Sequence, residues 1–305
     1  MTTIVMTGGT SGFGLVTAGH LAATPGVQLI LGARKPSGPT GAQMLPLDLA
    51  RLADVRAFAD AVTHELAGVP IDALVLNAGG GFPDSRTPDG FETNFAVNHL
   101  AHYLLLRLLL PHLAEGARVV ITASGTHDPQ ERTIIPPPHH ADAFRLAHPE
   151  SDPQRDASVR AAEGRAYASS KLCNVLTARA LAASEDARAR GITAVAYDPG
   201  PVPGTGLVRD RGAAISFAWR RILPLLRPLV RSFNSREAAG AALADLALGR
   251  IRPPGDHVYV ALRWGEIAFR QPSALARRDD LMASLWQDSA VLAGLAEPVA
   301  ARGIS

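Results

Sequence analysis

The 305-residue chain is 47% hydrophobic and 19% charged, a balance with too much apolar content for a disordered segment. Its formal net charge of +2 leaves no basic field of the kind that grips nucleic acid. One cysteine, Cys173, excludes an intramolecular disulfide framework and suits a reducing, cytoplasmic setting.

The opening MTTIVMTGG runs directly into a strand, without the basic start and apolar stretch of an export signal. Short β-branched or leucine-rich runs then recur as TIVMT, VQLILGA, MLPLDL, IDALVLN, ARVVITAS and GITAVAYD, all reading as strands. Helical spacing fills most gaps, as over Leu52 to Leu66 and Phe91 to Leu113. Fully apolar strands alternating with helices predict an α/β fold, a doubly wound parallel sheet covered on both faces, within one domain spanning 1–305. HYLLLRLLLPHLA is interrupted by Arg107 and Pro111, so no membrane span is expected. Two intervals depart from the alternation. RKPSGPTGAQ is too short and too rich in Pro and Gly for a crossover helix, and predicts a bare loop. The stretch 125–166 holds six prolines and reads as a long insert, a surface excursion or lid with one short helix. Later in the chain, NSREAAGAALADLALG predicts a helix capped at Ser235 and ended by Gly249.

Sheets of this kind take ligands beyond the carboxyl ends of their strands. After the first strand comes TGGTSGFG, with Gly8, Gly12 and Gly14 spaced by Thr10, Ser11 and Phe13. Glycine serves where a phosphate must approach the main chain, and the helix that follows offers free N–H donors and a positive dipole end. A nucleotide site is expected there rather than a simple tight turn. Arg34 lies twenty residues after Gly14. An acidic residue at that offset would hold a ribose 2′-hydroxyl, whereas a guanidinium grips a 2′-phosphate, so NADP(H) is the expected cofactor, with Lys35 assisting. The bland alternative is a solvated basic pair. Asp48, beside Leu49, either accepts from the adenine amino group or caps the helix that begins near Arg51.

The set TGGTSGFG, NAG at Asn77 to Gly79, FAVNHLAHYLL around Asn98, VVITAS ending in Ser124, YASSK and DPGPV from Asp198 resembles the short-chain dehydrogenase/reductase family over nearly the whole chain. NHLAHYLL and YASSKLCNVLTARAL are similar, more narrowly, to its retinol dehydrogenase and protochlorophyllide reductase branch. The resemblance implies a Rossmann-type fold and an NADP(H)-dependent carbonyl/alcohol oxidoreductase. It makes Tyr167 the general acid/base, Lys171 its charged neighbour and ribose ligand, Ser124 the hydroxyl orienting the substrate oxygen, and Asn98 the holder of a water linking Lys171 to solvent. Asn77, Ala78 and Gly79 would wall the dinucleotide. Pro199, Gly200, Val202 and Thr205 would line the nicotinamide, with Gly204 standing where a threonine is usual. Lys171 follows Tyr167 by one helical turn, so the two side chains share a face. A phenol ordinarily ionises near pH 10, and a phenolate working near neutrality needs about 4 kcal/mol of differential stabilisation, much of which an ammonium in a partly dry cleft supplies. No metal is required.

Other features carry less. His127, His139, His140 and His148 invite a metal site, but no thiolate or fixed helical histidine pair supports one. Cys173 matches a cysteine of protochlorophyllide reductases, yet sits off the Tyr167 face and reads as a packed thiol. FAWRRILPLLRPLVRSF, within the stretch 203–235, reads as a greasy C-terminal lid over a fairly large apolar substrate, with peripheral membrane contact as the rival. The family pairs subunits through the helices beginning near Asn98 and Tyr167, and the long insert is expected to cover that face, leaving a monomer or weak dimer. Two other readings stand beside carbonyl reduction: light-driven reduction of a tetrapyrrole C=C bond, and a non-catalytic NADP-binding regulator.

Overall fold

The computed structural model describes residues 1–35, 37–131, 133–204 and 233–295. Eight strands form one sheet: β1 (Thr2–Thr7), β2 (Val27–Ala33), β3 (Ala42–Pro46), β4 (Ile71–Leu76), β5 (Leu113–Thr122), β6 (Thr193–Asp198), β7 (Tyr259–Arg263) and β8 (Glu266–Phe269). They lie in the order β3-β2-β1-β4-β5-β6-β7-β8. Neighbours run parallel throughout except β7 and β8, which form an antiparallel edge. The order reverses between β1 and β4, opening a crevice at their carboxyl ends. The doubly wound parallel sheet read from the sequence is the observed architecture.

Helices cover both faces: α1 (Gly12–Ala22), α2 (Leu52–Leu66), the single turn α3 (Thr93–Phe95), α4 (Ala101–Leu109), α5 (Ala143–Ala147), α6 (Val159–Ala183), α7 (Glu185–Ala189), α8 (Arg236–Ala247) and α9 (Asp279–Leu292). Ile4, Val5 and Met6 of the central β1 are fully buried because both of its faces are roofed. One apolar cluster joins the sheet to α2, α4, α6 and α9; the other joins it to α1 and α8. In α2 the buried Val55, Phe58, Ala59, Val62 and Leu66 form the stripe that its spacing predicts. The Ser235 hydroxyl accepts from Ala238 N at 2.9 Å, capping α8 as expected.

Several boundaries differ from the sequence reading. β3 ends at Pro46, so Leu47 to Leu49 lie beyond it. The helical run from Phe91 is broken: between α3 and α4 lies a π-helical turn, Ala96–Leu100, and Leu113 belongs to β5. The hairpin β7–β8 has no counterpart among the expected strands. Among the described residues no helix separates β2 from β3, as expected. Among the described residues, the stretch 125–166 holds one short α-helix, α5, and also the first turns of α6. Asp48 does not cap α2: its Oδ1 accepts from Ala50 N at 3.1 Å, closing a local turn, and the Leu52 N–H goes to Asp89 at 2.8 Å. The part of the expected lid from 205 to 232 lies outside the described residues.

Candidate active site

The glycine turn connects the carboxyl end of β1 to α1. A Cβ on Gly14 would collide with the Gly8 carbonyl oxygen and come within 2.6 Å of Asn77 Nδ2, so only glycine lets the helix start this close. Ser11 is the N-cap residue, with no side-chain cap bond, and Leu15 N is the first amide to turn back, onto the Ser11 carbonyl. The amides of Gly12, Phe13 and Gly14 therefore point along the helix dipole at the crevice, a donor set that fits a pyrophosphate. Thr10 is half-buried in the turn, and the Phe13 side chain packs toward α8 and its apolar cluster. Arg34 and Lys35 are exposed just past β2, beside the same turn. Asp48 and buried Leu49 follow β3 at the same edge.

The Asn77–Gly80 stretch after β4 is held at both ends. At its start the Thr7 hydroxyl accepts from Asn77 N at 3.0 Å and Ala78 N at 3.1 Å, while Asn77 donates through Nδ2 to Gly8 O and accepts from the Thr122 hydroxyl. At its end Asn98 accepts from Gly80 N at 3.0 Å and donates to Gly80 O at 2.9 Å and Ser170 Oγ at 3.0 Å. Both side-chain N–H groups of Asn98 are thereby committed, and the water-holding role implied for it must use what remains. Gly79 threads between Asn98 and Lys171: a Cβ there would stand 2.5 Å from Asn98 Oδ1 and 3.7 Å from Lys171 Nζ.

Tyr167 and Lys171 share the inner face of α6, at 6% and 4% exposure. The Lys171 ammonium lies 5.8 Å from the Tyr167 ring centre and donates to the Thr122 carbonyl at the end of β5, 3.1 Å away. Burial lowers this amine from its ordinary 10.5 to about 8, opposed by the Asp198 carboxylate. Ser124 follows two residues after Thr122, half-buried, its oxygen accepting weakly from Thr126 N at 3.4 Å, which leaves its O–H to donate elsewhere. Lys171 and Ser124 thus stand at the carboxyl end of β5, with Tyr167 beside Lys171 on α6 and Asn98 bonded to Gly80 and Ser170.

The Pro-Gly turn after β6 is fixed by groups the sequence did not single out. Asp198, 1% exposed, accepts from Gly200 N at 2.9 Å, Tyr259 Oη at 2.7 Å and Arg263 Nη2 at 2.7 Å. Burial works to raise the Asp198 carboxyl, and the Arg263 guanidinium with the hydrogen bonds overcomes it, holding the group below its ordinary value. Asn234 Nδ2 donates to Pro199 O and Leu262 O. Arg263 and Tyr259 lie on β7, a strand outside the sequence reading; the signal for it is the short apolar run YVAL, buried along its length and closed by Trp-Gly. Val202 is buried, and Thr205 lies outside the described residues.

The histidines of the insert go separate ways. His127 bonds to Ser124 O and Ser273 N, His140 pairs with Asp152 at 2.9 Å, and His148 lies against the Phe91 ring. Among the described residues no group of three His, Cys, Asp or Glu side chains could hold a metal ion. Cys173 is fully buried in the core and burial pushes its thiol up. No helix of the described residues is long and apolar enough to cross a membrane.

The short chain dehydrogenase family model matches residues 2–133. Dehydrogenase/reductase SDR family member 13 of Bos taurus is 36% identical over 312 residues, covering 96% of this chain and 73% of that protein. Protochlorophyllide reductase A, chloroplastic, of Oryza sativa subsp. japonica is 30% identical, covering 96% of this chain and 80% of that protein. Among solved structures, an uncharacterized protein from Mycobacterium paratuberculosis superposes with a TM-score of 0.67 at 28% identity, covering 98% of this chain and 96% of the other. Likeness along nearly the full chain makes this protein a member of the short-chain dehydrogenase/reductase family, oxidoreductases that work with a nicotinamide cofactor.

Proposed function

We propose that the chain acts as one unit, an NADP(H)-dependent oxidoreductase that interconverts a carbonyl and an alcohol on a fairly large apolar substrate. The observation that carries the chemistry is the buried Lys171 ammonium 5.8 Å from the Tyr167 ring, at the strand end that also bears Ser124. A bound nicotinamide supplies or accepts the hydride. Charge then develops on the substrate oxygen, where the Ser124 O–H donates a hydrogen bond and Tyr167 delivers the proton. Lys171 lowers the cost of the phenolate left behind. The exposed Arg34 and Lys35 favour a 2′-phosphate over a bare ribose. A structural neighbour from Burkholderia cenocepacia, 22% identical with a TM-score of 0.58, is a complex with NADP. The apolar substrate rests on the composition of the 203–235 segment.

Screening NADPH oxidation against ketones, aldehydes and quinones tests the reading. Tyr167→Phe should lose at least about a hundredfold in kcat. Arg34→Ala should raise the KM for NADPH about tenfold and leave NADH unchanged. No turnover with any class, or an Arg34 variant indifferent to the 2′-phosphate, would overturn it. The likeness to a protochlorophyllide reductase favours a second reading, light-driven reduction of a ring C=C bond. Illuminating enzyme, NADPH and protochlorophyllide without spectral change removes it. A non-catalytic regulator would instead bind NADP and show no activity for Tyr167→Phe to abolish.

A further inference from the structure

The His102 imidazole, 2% exposed, is held at both nitrogens. Nδ1 lies 3.2 Å from the Asn98 carbonyl oxygen and Nε2 lies 2.9 Å from the Thr7 hydroxyl. Hydrogen-bond accounting assigns the protons. A carbonyl only accepts, so Nδ1 carries the ring hydrogen. The Thr7 oxygen already accepts from Asn77 N and Ala78 N, so its own hydrogen goes to Nε2. Burial lowers the ring to about 4, and the charge of Lys171 pushes the same way, so it is neutral across the working range. His99, the other buried imidazole nearby, is lowered to about 3 and is neutral too.

The arrangement joins two grips on one loop. Thr7 holds the start of the Asn77–Gly80 stretch, Asn98 holds its end, and His102 bonds to both holders. Asn98 also reaches Ser170, whose hydroxyl donates to the Tyr167 carbonyl at 2.7 Å. A change at His102 would therefore be felt in the loop and, through Ser170, at the backbone of α6.

We propose that His102, fixed as the neutral Nδ1–H tautomer, is a positioning residue that sets the Asn77–Gly80 loop for the dinucleotide. The role rests on the cofactor reading above; His102 itself sits behind the loop and bonds only to Thr7 and Asn98. The rival is a packed core histidine that any ring of similar size could replace. His102→Phe keeps the ring shape and loses both bonds, whereas His102→Gln retains an acceptor for Thr7.

NADPH affinity is read by nicotinamide fluorescence. His102→Phe is expected to raise the Kd about tenfold with kcat at saturating NADPH within about threefold of wild type, and His102→Gln to recover part of the loss. An unchanged Kd in His102→Phe, or a collapse of kcat at unchanged Kd, would overturn the role. Independently, 15N-histidine NMR of the cofactor-free wild type should show His102, identified by the signal that His102→Gln lacks, with Nδ1 protonated and Nε2 bare from pH 5 to 9. An Nε2–H tautomer, or titration within that range, would overturn it even if His102→Phe failed to fold. A wild type that binds no NADPH would sink the cofactor reading and the positioning role while leaving the tautomer intact.

Discussion

Lys171 is an ammonium folded into the interior, with the Thr122 carbonyl as its hydrogen-bond acceptor and Asp198 as the anion that favours its charge. Its folded value of about 8 lies below the ordinary 10.5, so between those two pH values the unfolded chain binds more protons than the native one. Stability contributed at this site is therefore lowest below about pH 8 and rises as the pH climbs toward 10.5. Lys171→Met should raise the melting temperature at pH 7, by the equivalent of about 1–3 kcal/mol, because it removes a buried charge while Asn174 Nδ2 still donates to Thr122 O. The gain should shrink toward pH 10.5. Differential scanning calorimetry across that range checks it; a variant less stable than wild type at pH 7 contradicts it. Function moves the other way. The same variant should lose nearly all turnover, and in wild type kcat/KM for reduction should fall as pH rises through about 8, where the ammonium is lost. The pair YASSK was legible from sequence because an i, i+4 spacing on a helix fixes the shared face whatever the surroundings. The burial that shifts Lys171 was not, since it comes from the packing of α6 on β5 and β6.

At the scale of elements, the turn from β1 into α1 was readable because a strand, a glycine turn and a helix are all local in sequence. Its tightness adds a prediction: Gly14→Ala places a methyl against the Gly8 backbone carbonyl, which cannot rotate away as a side chain would. The variant should lose about 2–4 kcal/mol of stability in urea unfolding and bind NADPH at least tenfold more weakly. Retained stability with full binding would show that the turn has slack. The helix predicted over Leu52 to Leu66 matches α2 because its apolar stripe has one period from end to end. The run from Phe91 misled for the converse reason. A π-helical turn widens the ring of hydrogen bonds without breaking the apolar pattern, so Ala96 to Leu100 looks like continuous α-helix in sequence. The turn carries both Asn98 and the carbonyl that His102 binds. The hairpin of β7 and β8 was missed because its pairing with β6 is non-local and its flanks are rich in Pro and Gly.

At the scale of the whole molecule, the face of α4 and α6 through which relatives would pair is covered by the chain itself. The sequence reading expects the 125–166 insert as the cover; the helix packed on α6 is α9, against which α5 of the insert rests in turn. Tyr103 and Trp286 meet edge to face with centres 5.0 Å apart, and Arg107 stacks 5.1 Å from Trp286 while donating to the Tyr103 hydroxyl. That hydroxyl donates to the Trp286 carbonyl at 2.7 Å, and His99 bonds the fully buried Ser289. Arg179 on α6 closes the edge through Asp279 and the Ala276 carbonyl. A second subunit docking on α4 and α6 would have to displace a helix whose Leu285 is 1% exposed, losing a core contact to gain an interface. Sedimentation velocity at tens of micromolar should therefore give a monomer near 32.0 kDa. Trp286→Ala should behave as a core truncation, costing about 2–4 kcal/mol of unfolding free energy that does not vary with protein concentration. A stable dimer or tetramer in wild type, or a melting temperature that climbs with concentration, would mean that α9 is part of an interface rather than its replacement.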